Sequence, residues 1–409
     1  MKKPTGRGGK RARVATGLDR LLADPSRLAG RRYGVLGHGA SITAAGRPIH
    51  LELKESPADA PSALFGPEHG FYGIEQDMVP AAGGTDSWTG APIVSLYGDS
   101  EDSLRPDPGA FEGLDLLVID LQDVGSRYYT YAATAVWAAE VALASGAEVW
   151  VLDRPNPLGG DEIEGNLLEP GFESFVGAFR LPVRHGLTLG ELVRLEARRR
   201  DWDEEGLQIW EMEGWERSMS WEETGLPWIA PSPNMPTPAT ALVYPGTCLI
   251  EATDLSEGRG TTRPFLLFGT PGLHPVKLAE SLEEKKLPGI TFLPTYFRPQ
   301  FQKHAGKVCG GVELIVTDRR AFRPYRLGIE LLSTVRLGWD EAYPWRLDPY
   351  EFVDDRPAID LLTGTSIFRR SIDDWDAHEL SEWLRSWDAD EEEFRRERED
   401  ILLYPEKGV

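Results

Sequence analysis

The chain has 409 residues, with 44 Lys and Arg against 66 Asp and Glu, a formal net charge of −22 and 13 Trp. That length argues for two domains, and 41% hydrophobic residues exclude a disordered protein. The charge repels a nucleic-acid backbone and an anionic membrane surface, so neither is an expected partner, and Cys248 and Cys309 alone make no zinc motif or disulfide framework.

Residues 1–15 are basic and read as a flexible tail, with 1–27 as tail and lead-in. LDRLLADPSRLAG follows without the apolar core of a signal peptide, and no window is long enough to span a membrane. A cytoplasmic location is the expectation. Short apolar runs at 32–37, 62–66, 92–98, 114–121 and 147–153 end in Gly, Asp or Pro, as buried parallel strands do. An Ala-rich helix at 130–146 closes on Gly146, and another at 187–200 starts at Thr188 with Glu191 completing a capping box. Strand and helix alternating at this spacing predict an α/β fold, a Rossmann-like open and mostly parallel sheet over 28–242. The stretch 227–246 carries six prolines and reads as a linker or a loop over the site, not as helix. Strands at 290–297 and 310–318 and helices at 322–338 and 373–400 predict a smaller α+β domain, 243–409, closing the cleft. The acidic run 388–400 reads as a solvated helix face.

Reactive groups gather where the strands end. FGPEHGFYG (65–73) places Glu68 and His69 at a strand-to-turn junction, where ligands bind in open α/β sheets. The strand 114–121 delivers Asp120, Gln122, Asp123 and Arg127, then Tyr128, Tyr129 and Tyr131; the strand 147–153 delivers Asp153. Four carboxylates on one rim suit acetal hydrolysis, in which one acid protonates the leaving oxygen and a second group meets the oxocarbenium-like centre. Arg184 and His185 precede a helix, and Glu257, Arg259 and Arg263 lie in a Gly-rich run, where guanidinium forks suit a carboxylate or equally a structural ion-pair network. GVLGHGAS (34–41) is not a dinucleotide fingerprint, and no Walker, HExxH or nucleophile-elbow motif is present.

LVIDLQDVGSRYYTY (117–131), VLDRPNPLGG (151–160), RLPVRHGLTLGEL (180–192), PSPNMPTPATALVYPGTCLIEATDLSEGRGTTRPF (231–265) and the Glu68 segment together resemble the exo-β-N-acetylmuramidase family, from about Leu28 to Leu403. The resemblance implies a cleft between two domains and release of N-acetylmuramic acid from the non-reducing end of peptidoglycan fragments, with a muropeptide or amino sugar as substrate and no cofactor or metal. It implies Glu68 as general acid, kept protonated between Phe65 and Phe71, and Asp120 or Asp123 as base or as the group orienting the 2-acetamido substituent. Arg184, Arg259 or Arg263 would hold the lactyl carboxylate. His38, His69, Gln122, Arg127, Tyr129, Asp153, His185, Asn234 and Glu257 complete the expected substrate contacts. Where the family has Thr-Asn after its first strand, this chain has Gly37, His38 and Gly39. Two other readings remain: a non-catalytic sugar-binding protein, and a metal-dependent hydrolase using His38 and His69.

Overall fold

The computed structural model describes residues 13–76, 79–338 and 344–404. Seven strands form the larger sheet: β1 (Tyr33–Gly37), β2 (Ala63–Gly66), β3 (Gly84–Thr85), β4 (Pro92–Ser95), β5 (Leu116–Asp120), β6 (Glu148–Leu152) and β7 (Leu207–Trp210). Their order is β3-β4-β2-β1-β5-β6-β7, parallel except where β3 pairs with β4. β1 and β5 are buried on both faces, with Val35 opposite Leu64 on one side and Val118 on the other. Such strands read as continuous apolar runs, which is why the sequence exposed them. The two-residue β3 and the half-buried β7 carry no such run. The crossover helix Tyr131–Ala144 between β5 and β6 is buried almost all round.

The lead-in is packed rather than free from Val14 onward, whose N–H donates to the Thr224 carbonyl. A helix, Gly17–Ala23, capped by Thr16, lays Leu18 and Leu21 on one face of the sheet with Tyr33, Val118 and Trp150. A Cβ at Gly17 would stand 2.4 Å from the Trp210 carbonyl oxygen, so only glycine lets the helix start there. Residues 1–12 of the expected tail lie outside the described residues.

The smaller sheet is antiparallel, with β8 (Leu267–Thr270), β9 (Ile290–Phe297) and β10 (Cys309–Val316) in the order β8-β10-β9. The proline-rich stretch needs correcting: its second half is the helix Pro238–Thr247. Pro238 sits in the first turn, where no N–H partner is needed, and Thr237 caps it. Gly246 meets Gly328 of the helix Pro324–Gly338 backbone to backbone, since a Cβ at Gly246 would lie 1.9 Å from the Pro324 oxygen. Residues 229–236 remain a loop, as expected.

One hydrophobic core runs from Leu36 and Ile119 beneath the larger sheet through Tyr244 and Phe268 to Phe394 and Ile401. The halves are also tied reciprocally. Arg127 donates to the carbonyls of Leu181 and Leu362, and Arg398, from the helix Ala377–Glu399, donates to those of His185 and Gly186. That helix therefore has a solvated face, as expected, but also a fully buried guanidinium. Both cysteines are free and buried, and among the described residues no helix is long and apolar enough to cross a membrane.

Candidate active site

A cleft of about 570 Å³, counting its open mouth, lies where the carboxyl ends of β2 and β5 face the second half. Glu68 enters it from the turn after β2. Gly66 lets this turn fold back on itself, because a Cβ there would meet the Phe71 nitrogen at 2.4 Å. His69 takes a left-handed conformation, φ 70°, and its Nδ1 donates to the Glu75 carbonyl at 2.9 Å. Glu68 is only 5% exposed. Its Oε2 accepts from the Thr130 hydroxyl at 2.7 Å, and Thr130 stands at the start of the helix Tyr131–Ala144 without capping it. A hydroxyl that would ordinarily satisfy the helix end instead orients the carboxyl group.

The expected apolar slot is absent. Phe65 packs on Phe111 in the core and Phe71 on His50 and Tyr72. Around Glu68 the cleft is lined by Tyr128, Tyr129, Thr130, Val176, Ser232, Asn234 and Met235, and across it by Tyr244, Glu251, Arg259, Phe265, Tyr350 and Glu351. The Tyr129 ring meets Tyr131 and Tyr244 edge to face, and Tyr244 meets Phe265 likewise. Arg259 Nη2 donates to Glu251 Oε1 at 2.6 Å, and the Tyr350 hydroxyl to Glu251 Oε2 at 2.7 Å. The Arg259 guanidinium lies over the Phe265 ring, 5.2 Å from its centre.

Of the expected residues, Glu68, His69, Tyr129, Asn234 and Arg259 line this cleft together. Asn234 donates to Gln76, which fixes the loop 229–236 at the cleft edge. The other expected residues stand elsewhere, each for a visible reason. Asp120 is fully buried, and both its oxygens are held by Arg154, at 2.5 and 2.8 Å. Asp153 accepts from Gly190 N, the Thr188 hydroxyl and the Tyr404 hydroxyl, anchoring the helix Leu189–Arg199 and the C-terminal segment to the sheet. Gln122 donates to the carbonyls of Asp123 and Pro155 and faces a separate small cavity beside Arg154. Arg127 is the inter-half tie described above.

Asp123 lies behind the cleft wall. Its Oδ2 accepts from Gly125 N at 2.6 Å and stands 3.8 Å from His185 Nε2, while Oδ1 has no hydrogen-bond partner among the described residues. Burial pushes its carboxyl up to about 7 and the His185 imidazole down to about 3. His185 Nδ1 accepts from Leu187 N, which puts the ring proton on Nε2, facing Asp123. Arg184 lines a different cavity with Arg319 and Arg320, and burial lowers it to about 10. Glu257 is buried between Lys303 Nζ, at 3.0 Å, and Arg259 Nε, at 3.4 Å. Burial opposes its charge, yet these two cations bring it below the ordinary carboxyl value. Arg263 is half exposed and pairs with Glu313 on the smaller sheet.

His38 has become a clamp. Its Nε2 accepts from Gln122 N at 2.9 Å and its Nδ1 donates to the Pro231 carbonyl at 3.1 Å. The Tyr131 hydroxyl donates to that same carbonyl at 2.7 Å, so the loop carrying Ser232, Asn234 and Met235 is latched to the sheet rim. Burial, and next the charge of Arg154, push His38 down to about 3, which keeps it the neutral tautomer both bonds require. His38 has both ring nitrogens engaged, and among the described residues no three His, Cys, Asp or Glu are grouped to hold a metal, so the metal-hydrolase reading finds no ligand set here.

Sequence reasoning missed Thr130, Ser232, Met235, Tyr244, Glu251, Phe265, Tyr350 and Glu351. Glu251 lay inside a quoted motif, six residues before Glu257, but nothing marked it over its neighbour. Glu351, in DPYEFVDD, has no local signature at all.

Residues 33–239 match the family model described as exo-β-N-acetylmuramidase NamZ, N-terminal, and residues 242–404 match its C-terminal counterpart. The chain is 39% identical over 396 residues to the peptidoglycan β-N-acetylmuramidase NamZ of Bacillus subtilis (strain 168), covering 97% of this chain and 92% of that protein. Among solved structures, two DUF1343 family proteins of Bacteroides fragilis NCTC 9343 are similar. One has a TM-score of 0.83 at 31% identity and the other 0.72 at 26%, each covering 97% of this chain and 100% of the other.

Proposed function

This chain belongs to the exo-β-N-acetylmuramidase family, and we propose that it is a glycoside hydrolase releasing N-acetylmuramic acid from the non-reducing end of peptidoglycan fragments. The observation that carries the reading is a buried carboxyl group, Glu68, oriented by Thr130 in a cleft with aromatic walls and a guanidinium across from it. In this proposal Glu68 protonates the departing glycosidic oxygen. Thr130 holds one carboxyl oxygen, so the geometry for proton delivery is set before the sugar arrives. Arg259 takes the lactyl carboxylate that distinguishes muramic acid from glucosamine; of the three arginines considered, it is the one that lines the cleft. Tyr129, Tyr244 and Phe265 supply the apolar faces against which sugar rings pack.

Asp120 and Asp123 act as supports rather than as the base: one is the buried partner of Arg154 and the other backs the wall that carries Tyr129. The proposed setting is the cytoplasm, on imported fragments, and two free buried cysteines fit a reducing compartment.

The test is hydrolysis of a chromogenic β-N-acetylmuramide by the purified chain, beside the corresponding N-acetylglucosaminide. Release from the muramide alone, lost in Glu68→Gln, is the expected result. A folded wild type inert on the muramide overturns the reading.

A further inference from the structure

Some of the backbone strain among the described residues lies at the cleft. Eight described residues other than glycine have positive φ, and three of them, His69, Phe265 and Glu351, line it. Glu351 and Phe352, with φ 47° and 67°, are the one consecutive pair. They are the two central residues of a tight turn in which Tyr350 N donates to Val353 O at 2.9 Å and Val353 N to Tyr350 O at 3.0 Å. A two-residue turn with both centres left-handed ordinarily carries Asn-Gly or a similar pair, because a side-chained residue there crowds its own carbonyl. Here a glutamate and a phenylalanine occupy it. Strain of this kind persists only when the surroundings impose it.

The surroundings that impose it are visible. Tyr350 donates to Glu251 on one side of the turn, and the Phe352 ring packs against Tyr97 of the first half, 6.0 Å between centres, on the other. Between these two anchors Glu351 is directed into the cleft, 6% exposed, in the cavity that holds Glu68. A solvated turn would need neither the anchors nor the burial of a carboxylate. The strained turn thus presents a third carboxyl group, after Glu68 and Glu251, to a ligand bound at Glu68.

We propose that Glu351 is a substrate-contacting carboxylate that accepts a hydrogen bond from the 2-acetamido N–H of the amino sugar. A carboxylate is the acceptor that an amide N–H binds most strongly in a cleft shielded from water, and it discriminates against sugars with no donor at that position. The inference rests on the amino-sugar reading of the cleft and adds the residue that reads the acetamide.

The experiment compares wild type with Glu351→Ala, Glu351→Gln and Glu351→Gly by hydrolysis of the chromogenic muramide and by tryptophan-fluorescence titration with N-acetylmuramic acid and with its 2-deoxy analogue, which has no donor at that position. Alanine is expected to lower kcat/KM at least about 30-fold and to erase the preference for the N-acetyl sugar. Glutamine, which keeps the acceptor oxygen and loses the charge, recovers part of both. Glycine relieves the turn, so that variant melts a few degrees above the alanine variant while being as impaired. A purely structural role would give the opposite: glycine restoring activity together with stability. If alanine stays within about threefold of wild type in turnover and in N-acetyl preference, the proposal is overturned. If alanine does not fold, glutamine decides on the same readings. A wild type that binds N-acetylmuramic acid through Glu351 but releases nothing would overturn the hydrolase reading and keep this one; a wild type that neither binds nor cleaves would end both.

Discussion

Two sets of buried carboxylates stand at the same edge of the larger sheet, and they differ in how their oxygens are occupied. Asp120 and Asp153 have every oxygen bonded, to Arg154 in one case and to Thr188, Gly190 and Tyr404 in the other. Glu68 has one oxygen held by Thr130 and lines open space. All three are under about a tenth exposed, so depth does not separate the proposed acid from the carboxylates bonded into the fold. Occupancy of the lone pairs does. A carboxylate whose acceptor capacity is saturated stabilises the fold; one with capacity left over, beside a cavity, has something to offer a ligand.

The contrast is broken most sharply at Glu68. Glu68→Gln should lower kcat on the muramide by roughly 10²–10⁴ while leaving the melting temperature close to wild type, because the amide keeps the Thr130 contact. Asp120→Asn should do the reverse. It leaves the Arg154 charge buried without its partner, at a cost of about 3–5 kcal/mol, seen as a lower denaturation midpoint, with little change in KM for the molecules that remain folded. Should Asp120→Asn instead fold well and lose turnover, the division by occupancy fails.

The pH dependence of stability sharpens the picture behind the wall. Asp123, at about 7 when folded, keeps a proton that the unfolded chain gives up near pH 4, so its contribution is full below that pH and is lost as pH rises to 7. His185, at about 3 when folded, has the opposite sign: the unfolded chain protonates it first, and stability rises from pH 3 to the ordinary imidazole value. Relative to wild type, Asp123→Asn should therefore gain stability on going from pH 5 to 7.5 and His185→Gln should lose it, measured as melting temperature at the two pH values. The smallest effect belongs to Arg263→Ala. Its pair with Glu313 lies at the surface, so a change of under about 1 kcal/mol and an unaltered KM are expected.

The parallel strands were legible because burial on both faces writes an uninterrupted apolar run, as in LLVID at 116–120. The capping box at Thr188 was legible because its chemistry is local. The site was legible only where a motif and the cavity coincide, at Glu68, His69, Tyr129, Asn234 and Arg259. Asp120, Asp153 and Arg184 have the residue types of a site but partners far away in sequence, and no local pattern reveals that Tyr404 caps Asp153 across 251 positions. Glu351 failed for the converse reason. Its importance lies in a backbone conformation that its own residue type disfavours, and sequence propensity would place a glycine there. The helix Pro238–Thr247 was missed because proline frequency was read without position; at the first turn proline helps a helix.

The reciprocal arginines at 127 and 398 have a consequence for how the molecule comes into being. Each half finishes hydrogen bonding that belongs to the other, through Leu362 O in one direction and His185 O and Gly186 O in the other. Neither can be complete alone, so the chain should melt in one transition and a fragment ending near residue 240 should stay unfolded or clump. The ribosome must release the last helix before the first sheet is truly finished, and the sugar cleft is among the last features to exist.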